Sequence, residues 1–176
     1  MRVIPASLGL VAVVLVLTAS GCGNSTASVQ STPAPTITVT ATPTSSATIS
    51  LAKAAATAYL AVATKLNRAL GALSKTAAAW PSSETGAQAE KSAQPAIAAL
   101  EAGTAKLTEY RWPSDVVSDA HALIGAVGSL TGDLESLSSV NLLSASSWAS
   151  QFTRDAQTVK TDAALVRHDL GLKAAK

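Results

Sequence analysis

The chain has 176 residues, of which 14% are charged, 3% are aromatic and 48% are hydrophobic, the last group being largely alanine. This length accommodates one ordinary domain after removal of a targeting segment, which excludes a multidomain machine. The formal net charge is only +2 and no run of Lys or Arg occurs, so we expect no nucleic-acid binding. Because alanine is the best helix former, the composition predicts an all-α protein.

The first 21 residues have the layout of an export signal. Arg2 supplies one positive charge, Leu8–Leu17 is apolar, and Ala19, Ser20 and Gly21 are small residues that directly precede Cys22. The uninterrupted apolar run is shorter than the roughly 20 residues that a membrane-spanning helix needs, so we do not expect a permanent span.

The sequence Ala19-Ser20-Gly21-Cys22 resembles the lipobox of bacterial lipoprotein precursors, although that family more often has Leu where this chain has Ala19. In the family the thiol receives a diacylglyceryl group and the signal is cut just before the cysteine. The resemblance implies that residues 1–21 are removed, that Cys22 is lipidated, and that the protein is anchored to the outer face of the bacterial cytoplasmic membrane. An ordinary secretory signal with an incidental cysteine is the alternative, but Cys22 is the only cysteine, and a lone thiol is a liability in an exported protein.

Residues 22–49 are predicted to comprise the lipidated cysteine and a disordered spacer. Residues 23–49 are rich in Thr, Ser, Ala and Pro and carry no charge. Such a segment cannot bury enough apolar surface to fold, and its prolines favour extended conformations that could reach roughly 80 Å. Its composition is also typical of glycosylated stalks, and the sequence does not decide whether it is glycosylated.

Residues 50–176 are predicted to form an up-down-up-down four-helix bundle, because apolar residues recur there every three or four positions. The first helix extends from about Ser50 to Trp80, where the following proline ends it. The second either starts near Ser83 and kinks at Pro95 or starts near Ser92, and the apolar spacing, which continues through Pro95, favours the kink.

The third and fourth helices are placed by their end signals. Residues 112–115, WPSD, are predicted to open the third helix, with Pro113 in its first position and Asp115 near the positive end of its dipole. A serine-rich turn at 138–147 is expected to cap the fourth helix. Arg167 and His168 are expected in its last turn, with Gly171 just beyond its end.

In this arrangement the large rings gather at the two ends of the bundle. We expect Trp80 and Trp148 at one end and Tyr59, Tyr110 and Trp112 near the other. Large rings at the ends of an alanine-rich core are interpreted as structural plugs rather than as a ligand cage.

The sequence offers little catalytic chemistry. It contains no HExxH, Glu-x-x-His, GxSxG or GxGxxG pattern, so we expect no catalytic residue, no metal and no cofactor. The Ser-x-x-Lys match at Ser50 and Lys53 is interpreted as a helix cap and a solvated lysine. An enzyme would need its catalytic groups supplied by His121, Asp119 or Asp115, which lie near the start of the third helix.

The third helix carries a stripe of one histidine and three glycines. His121, Gly125, Gly128 and Gly132 follow one another at spacings of four, three and four, which places them on one face. Each glycine inside a helix costs roughly 1 kcal/mol relative to alanine, so three together indicate that something approaches the backbone closely. A neighbouring helix of the same bundle is the first interpretation, and a groove for an external helix or apolar ligand is the second.

The whole layout resembles small helical lipoproteins of high-GC Gram-positive bacteria, which implies a membrane-anchored, non-enzymatic binding or interaction module with a protein partner in the cell envelope. The alternative is a carrier whose bundle opens to hold a lipid or another small apolar ligand. The sequence identifies neither partner nor ligand.

Overall fold

A computed structural model describes residues 46–80, 84–141 and 143–173, with side chains from Ile49 onward. The predicted signal 1–21, Cys22 and nearly all of the predicted spacer lie outside these residues. Four α-helices follow one another: α1 (Ser46–Ala78), α2 (Gly86–Glu109), α3 (Val117–Glu135) and α4 (Ala145–Asp169), with a short 3₁₀ helix at Ser136–Ser139. The predicted all-α fold is confirmed, and the described ranges contain no strand.

The helices form an up-down-up-down bundle in which α2 packs between α1 and α3, and α4 packs on α3. Trp80 at the end of α1 bonds Ser92 near the start of α2, and Trp148 near the start of α4 bonds the Asp133 carbonyl near the end of α3. These contacts, together with that of Gly86 against the 3₁₀ helix, place four helix termini at one end, here called the tryptophan end.

The first helix ends and the second begins close to the predicted positions, but Ser50 lies inside α1 and does not cap it. α1 starts at Ser46, four residues inside the predicted spacer, and α2 starts at Gly86 behind a capping box in which Thr85 and Gln88 satisfy each other's backbone N–H groups. α2 continues through Pro95, so a start near Ser92 is wrong. Pro95 is exposed, and its missing N–H therefore costs α2 one bond without burying an unpaired group.

The predicted start of α3 is wrong. Pro113 is not the first helical residue; its carbonyl accepts bonds of 3.0 Å from the N–H groups of Val116 and Val117, and the helix begins only at Val117. The preceding Trp112 is buried and donates its indole N–H to the Leu107 carbonyl at 2.9 Å. This bond ties the chain to the end of α2, so residues 113–116 form a turn and Asp119 is the acidic residue of the first helical turn.

The two ends of α4 differ in how well they were predicted. No serine side chain caps its start; instead, Oδ1 of Asn141 accepts the N–H groups of Leu143 at 2.9 Å and Ser144 at 3.3 Å. The end is a Schellman motif, as Gly171 predicted: its φ is 65°, its N–H bonds the His168 carbonyl, and the Leu172 N–H bonds that of Arg167.

The core between the helices is built mainly from alanine, leucine and valine. At several crossings the contact residue is an alanine with at most 1% exposure, which lets two helix backbones approach closely. These residues are Ala55, Ala89, Ala93, Ala120, Ala156 and Ala163.

The aromatic side chains fill separate seams of the bundle. At the tryptophan end, Trp148 stacks on Phe152 with ring centroids 5.2 Å apart, while Trp80 bonds within the α1–α2 pair. At the opposite end, Tyr110 and Trp112 pack edge to face at 5.3 Å. Tyr59 lies deeper, where its hydroxyl donates to the Ala163 carbonyl at 3.2 Å and thereby joins α1 to α4.

Candidate functional site

The outer face of α3 carries the predicted stripe of His121, Gly125, Gly128 and Gly132, and all four residues are exposed. A Cβ placed on any of the three glycines would meet nothing within 4 Å. The expectation that a neighbouring helix of the same bundle approaches this stripe is therefore wrong. The physical reason is that α3 contacts α2 and α4 through its opposite face, where Leu123, Val127 and Leu130 are buried.

The glycines that do permit close approach are on α2. A Cβ on Gly86 would collide with the carbonyl oxygens of Leu137 and Val140, and one on Gly103 would lie 2.7 Å from Cδ2 of Leu66. Sequence spacing could have revealed Gly103, because it lies three residues after buried Leu100 and four before buried Leu107. Gly86 carried no such signal, since its neighbours come from a distant 3₁₀ helix.

Both histidines lie on the surface of the bundle. His121 is exposed on α3, and the exposed His168 ring has Nδ1 3.0 Å from Oδ1 of Asp169. Asp119 lies next to Asp169 across the α3–α4 seam, and a hydrogen bond that its protonated carboxyl can donate to the Asp169 carboxylate raises the pKa of Asp119. Within the part of the chain that the structure describes, no group of three or more His, Cys, Asp or Glu side chains could hold a metal ion.

A polar cleft of about 380 Å³ opens at the tryptophan end and was not foreseen from the sequence. Its walls include Asp133, Ser136, Trp148 and Gln151. The Trp148 indole N–H donates to the Asp133 carbonyl at 2.8 Å, while Gln151 donates to Oδ2 of Asp155 at 2.8 Å. The Trp148 bond therefore joins the start of α4 to the end of α3 at this cleft, whereas the Gln151 bond lies within α4.

Asp133 is the titratable group of this cleft. Partial burial raises the pKa of its carboxyl to about 6, and the adjacent Asp155 carboxylate across the α3–α4 seam adds to the shift. The sequence did contain a weak signal, because Asp133 and Asp155 each directly precede a buried core residue, Leu134 and Ala156. Such a position is adjacent to a helix seam. The negative charge of Asp155 favours the protonated form of the Asp133 carboxyl.

A second buried polar group, Arg167, lies on α4 near the opposite end and has only 5% exposure. Its Nη2 donates to the Lys173 carbonyl, whereas Nε and Nη1 have no hydrogen-bond partner among the described residues. Burial raises the pKa of neighbouring Tyr59 to about 12, even though the Arg167 guanidinium acts in the opposite direction. The Tyr59 phenol is therefore neutral at physiological pH. The sequence placed Arg167 only as a charge in the last turn of the helix.

The centre of the bundle is almost filled. A cavity of about 10 Å³ lies between apolar residues of all four helices, among them Tyr59, Leu107, Leu123 and Val159. That volume corresponds to about one water molecule. An apolar ligand could enter the interior only if the helices moved apart.

Comparison with known proteins identifies no relative: no protein-family model, no curated protein and no solved structure matches this chain. Over the described ranges, none of the helices combines the length and the apolar character needed to cross a bilayer. Cys22, the predicted lipidation site, lies outside those ranges. The functional hypothesis therefore depends on the sequence around Cys22 and on the surface of the bundle.

Proposed function

We propose that the protein is a lipoprotein of the bacterial cell envelope, anchored through acylated Cys22 to the outer face of the cytoplasmic membrane. The observation that carries this proposal is the order of residues 1–22: a basic residue, an apolar run, three small residues and the only cysteine of the chain. One acyl chain binds a bilayer only marginally, so the two chains of a diacylglyceryl group supply the stable attachment that this domain needs.

The helical domain then acts as a non-enzymatic interaction module. Its α3 face offers a partner a shallow strip of exposed backbone at Gly125, Gly128 and Gly132, flanked by the His121 ring. An external helix could approach that strip closely because no Cβ stands in the way. The absence of an internal neighbour for these glycines supports this role over a packing role.

The carrier alternative has weaker support, because the central cavity of about 10 Å³ would have to widen greatly. Native mass spectrometry of the gently purified protein tests it. A co-purifying apolar molecule of lipid size would favour the carrier, and a mass equal to that of the polypeptide with its anchor would favour the interaction module.

The anchor is tested by replacing Cys22 with Ser in the full chain and fractionating the cells. We expect the variant to accumulate as uncut precursor or to leave the membrane fraction, because serine has no thiol to acylate. Ser20→Ala, which keeps the cysteine and a small residue before it, is the matched control and should remain membrane-bound. The proposal would be contradicted if Cys22→Ser lost its signal normally and still required detergent for release from the membrane.

A further inference from the structure

The charges of the domain are distributed unevenly, and α1 is the extreme case. Its 33 residues contain four cations, Lys53, Lys65, Arg68 and Lys75, and no carboxylate. All four side chains are exposed. Within the described ranges none of them forms an ion pair, since the two pairs present are Lys106–Glu109 and His168–Asp169.

The four cations share one side of α1. At 3.6 residues per turn they fall within an arc of about 120°, and the stretch from Lys53 to Lys75 is about 33 Å long. The buried residues of the same helix, including Tyr59 and Leu66, project from nearly the opposite side. The result is a basic ridge without carboxylates on the outside of the bundle, here called the α1 ridge.

The opposite corner of the bundle is acidic. α3 contains Asp119, Asp133 and Glu135 and neither Lys nor Arg. Because α1 packs on α2 and meets α4 at Tyr59, while α3 packs on both α2 and α4, helices α1 and α3 lie diagonally across the bundle. The domain therefore has a positive side and a negative side, and an electric field from a charged surface would orient it.

We propose that the α1 ridge lies on the anionic surface of the bilayer. This inference depends on the proposed function for its location. Only residues 23–45 separate Cys22 from the start of α1, so the anchor keeps the ridge within roughly 70 Å of the membrane and at high effective concentration. A ridge of unpaired cations fits a planar anionic surface, and each Lys or Arg held there strengthens binding roughly fivefold.

This orientation has a consequence for the rest of the domain. With α1 against the membrane, α3 is the helix farthest from it, and the exposed strip of His121, Gly125, Gly128 and Gly132 points away from the bilayer. The ridge thus acts as a positioning surface that presents the α3 face to the envelope. Repulsion of the α3 carboxylates from anionic headgroups favours the same orientation.

The test uses the chain from residue 22 onward, which contains every described residue, with Cys22→Ser so that no acyl group is present. Its partition is measured by co-sedimentation with vesicles of phosphatidylcholine alone and of phosphatidylcholine with phosphatidylglycerol. The ridge variant carries Lys53→Gln, Lys65→Gln, Arg68→Gln and Lys75→Gln. The matched control removes the same charge from four exposed positions elsewhere: Lys91→Gln, Lys106→Gln, Arg154→Gln and Lys160→Gln.

We expect the parent chain to bind the phosphatidylglycerol vesicles at least about tenfold more strongly than the neutral ones, and salt near 1 M to abolish the difference. The ridge variant should lose about tenfold or more in binding and the control less than about threefold. Circular dichroism verifies that both variants remain helical. If the ridge variant unfolds, the double variant Lys65→Gln, Arg68→Gln replaces it. We expect this double variant to bind the phosphatidylglycerol vesicles at least about fivefold more weakly than the parent chain.

Equal losses in the ridge variant and the control would overturn the proposal, because net charge rather than the α1 ridge would then govern binding. Equal binding of the parent chain to both kinds of vesicle would also overturn it. Binding to soluble polyphosphate without binding to phosphatidylglycerol vesicles would assign the ridge to an anionic polymer instead. Because the tested protein carries no acyl group, any of these results leaves the lipidation of Cys22 unaffected.

Discussion

Some glycines in this chain permit close contact between neighbouring segments, and others face open space. On α2, Gly86 lies against the backbone carbonyls of Leu137 and Val140, while on α3 the three glycines of the predicted stripe face open space. Spacing along the sequence identifies a shared face, but it does not identify the side of the helix that the neighbours occupy. That is why the α3 stripe was predicted correctly as a unit and placed on the wrong side.

Replacing Gly86 with Ala should lower the free energy of unfolding by about 2 kcal/mol, because backbone carbonyls cannot move aside as a side chain can. Gly128→Leu should leave stability unchanged or raise it by up to about 1 kcal/mol, since a better helix former would stand in open space. Urea unfolding of both variants measures this contrast. A large loss of stability in Gly128→Leu would show that an internal neighbour contacts α3 there.

Asp133 should make stability depend on pH. Its folded-state pKa is about 6 against an ordinary value of 3.8, so the folded protein binds the extra proton between these values. The contribution of Asp133 to stability is therefore expected to be largest below pH 4, to fall as pH rises to about 6, and then to level off. The carboxyl is only partly buried, so we expect a fall of about 1 kcal/mol rather than the full value of the shift.

Asp133→Asn should remove this fall and raise stability at pH 7, and Asp155→Asn should reduce it without abolishing it, because burial is the larger cause of the shift. Urea unfolding at pH 4 and pH 7 measures both effects. An Asp133→Asn protein with an undiminished fall would rule out Asp133 as the group responsible.

At the scale of the helices, periodicity predicted which segments are helical, but hydrogen bonds set the ends. The apolar spacing through Pro95 predicted correctly that α2 continues past the proline. Residues 112–115 include Pro113 and Asp115, which are typical of a helix start. The helix nevertheless begins at Val117, because the Trp112 indole bonds the Leu107 carbonyl and residues 113–116 form a turn. This bond spans only five residues, but apolar periodicity carries no information about it.

The seam between α1 and α4 contains the polar group that sequence reasoning placed least well. Arg167→Met should leave the free energy of unfolding unchanged or raise it by about 1 kcal/mol, because Met keeps the apolar stem and removes two donors that are buried without partners among the described residues. Thermal and urea unfolding measure this change. Arg154→Met, at an exposed position on the same helix, is the control and should change stability by less than about 0.5 kcal/mol.

A loss of more than about 3 kcal/mol in Arg167→Met would contradict this expectation. It would mean that the guanidinium has a strong anionic partner in the folded protein.

For the molecule as a whole, composition and periodicity were sufficient for the fold class and helix order, because alanine-rich amphipathic segments with short links have few other ways to bury their apolar faces. They could not predict the cleft around Asp133 or the diagonal placement of the basic α1 and acidic α3 faces, since both depend on which helices become neighbours. The proposed anchor at Cys22 remains a prediction from a local motif. Together, anchor and charge pattern suggest a domain held at the membrane with a defined orientation.

Mass spectrometry of the N-terminal peptide of the native, membrane-extracted protein tests the central proposal most directly. We predict that the polypeptide begins at Cys22 and that its sulfur carries a diacylglyceryl group, so the peptide is heavier than its sequence by the mass of that group. A mature chain that retains residues 1–21, or that begins elsewhere with Cys22 as a free thiol, would contradict the account.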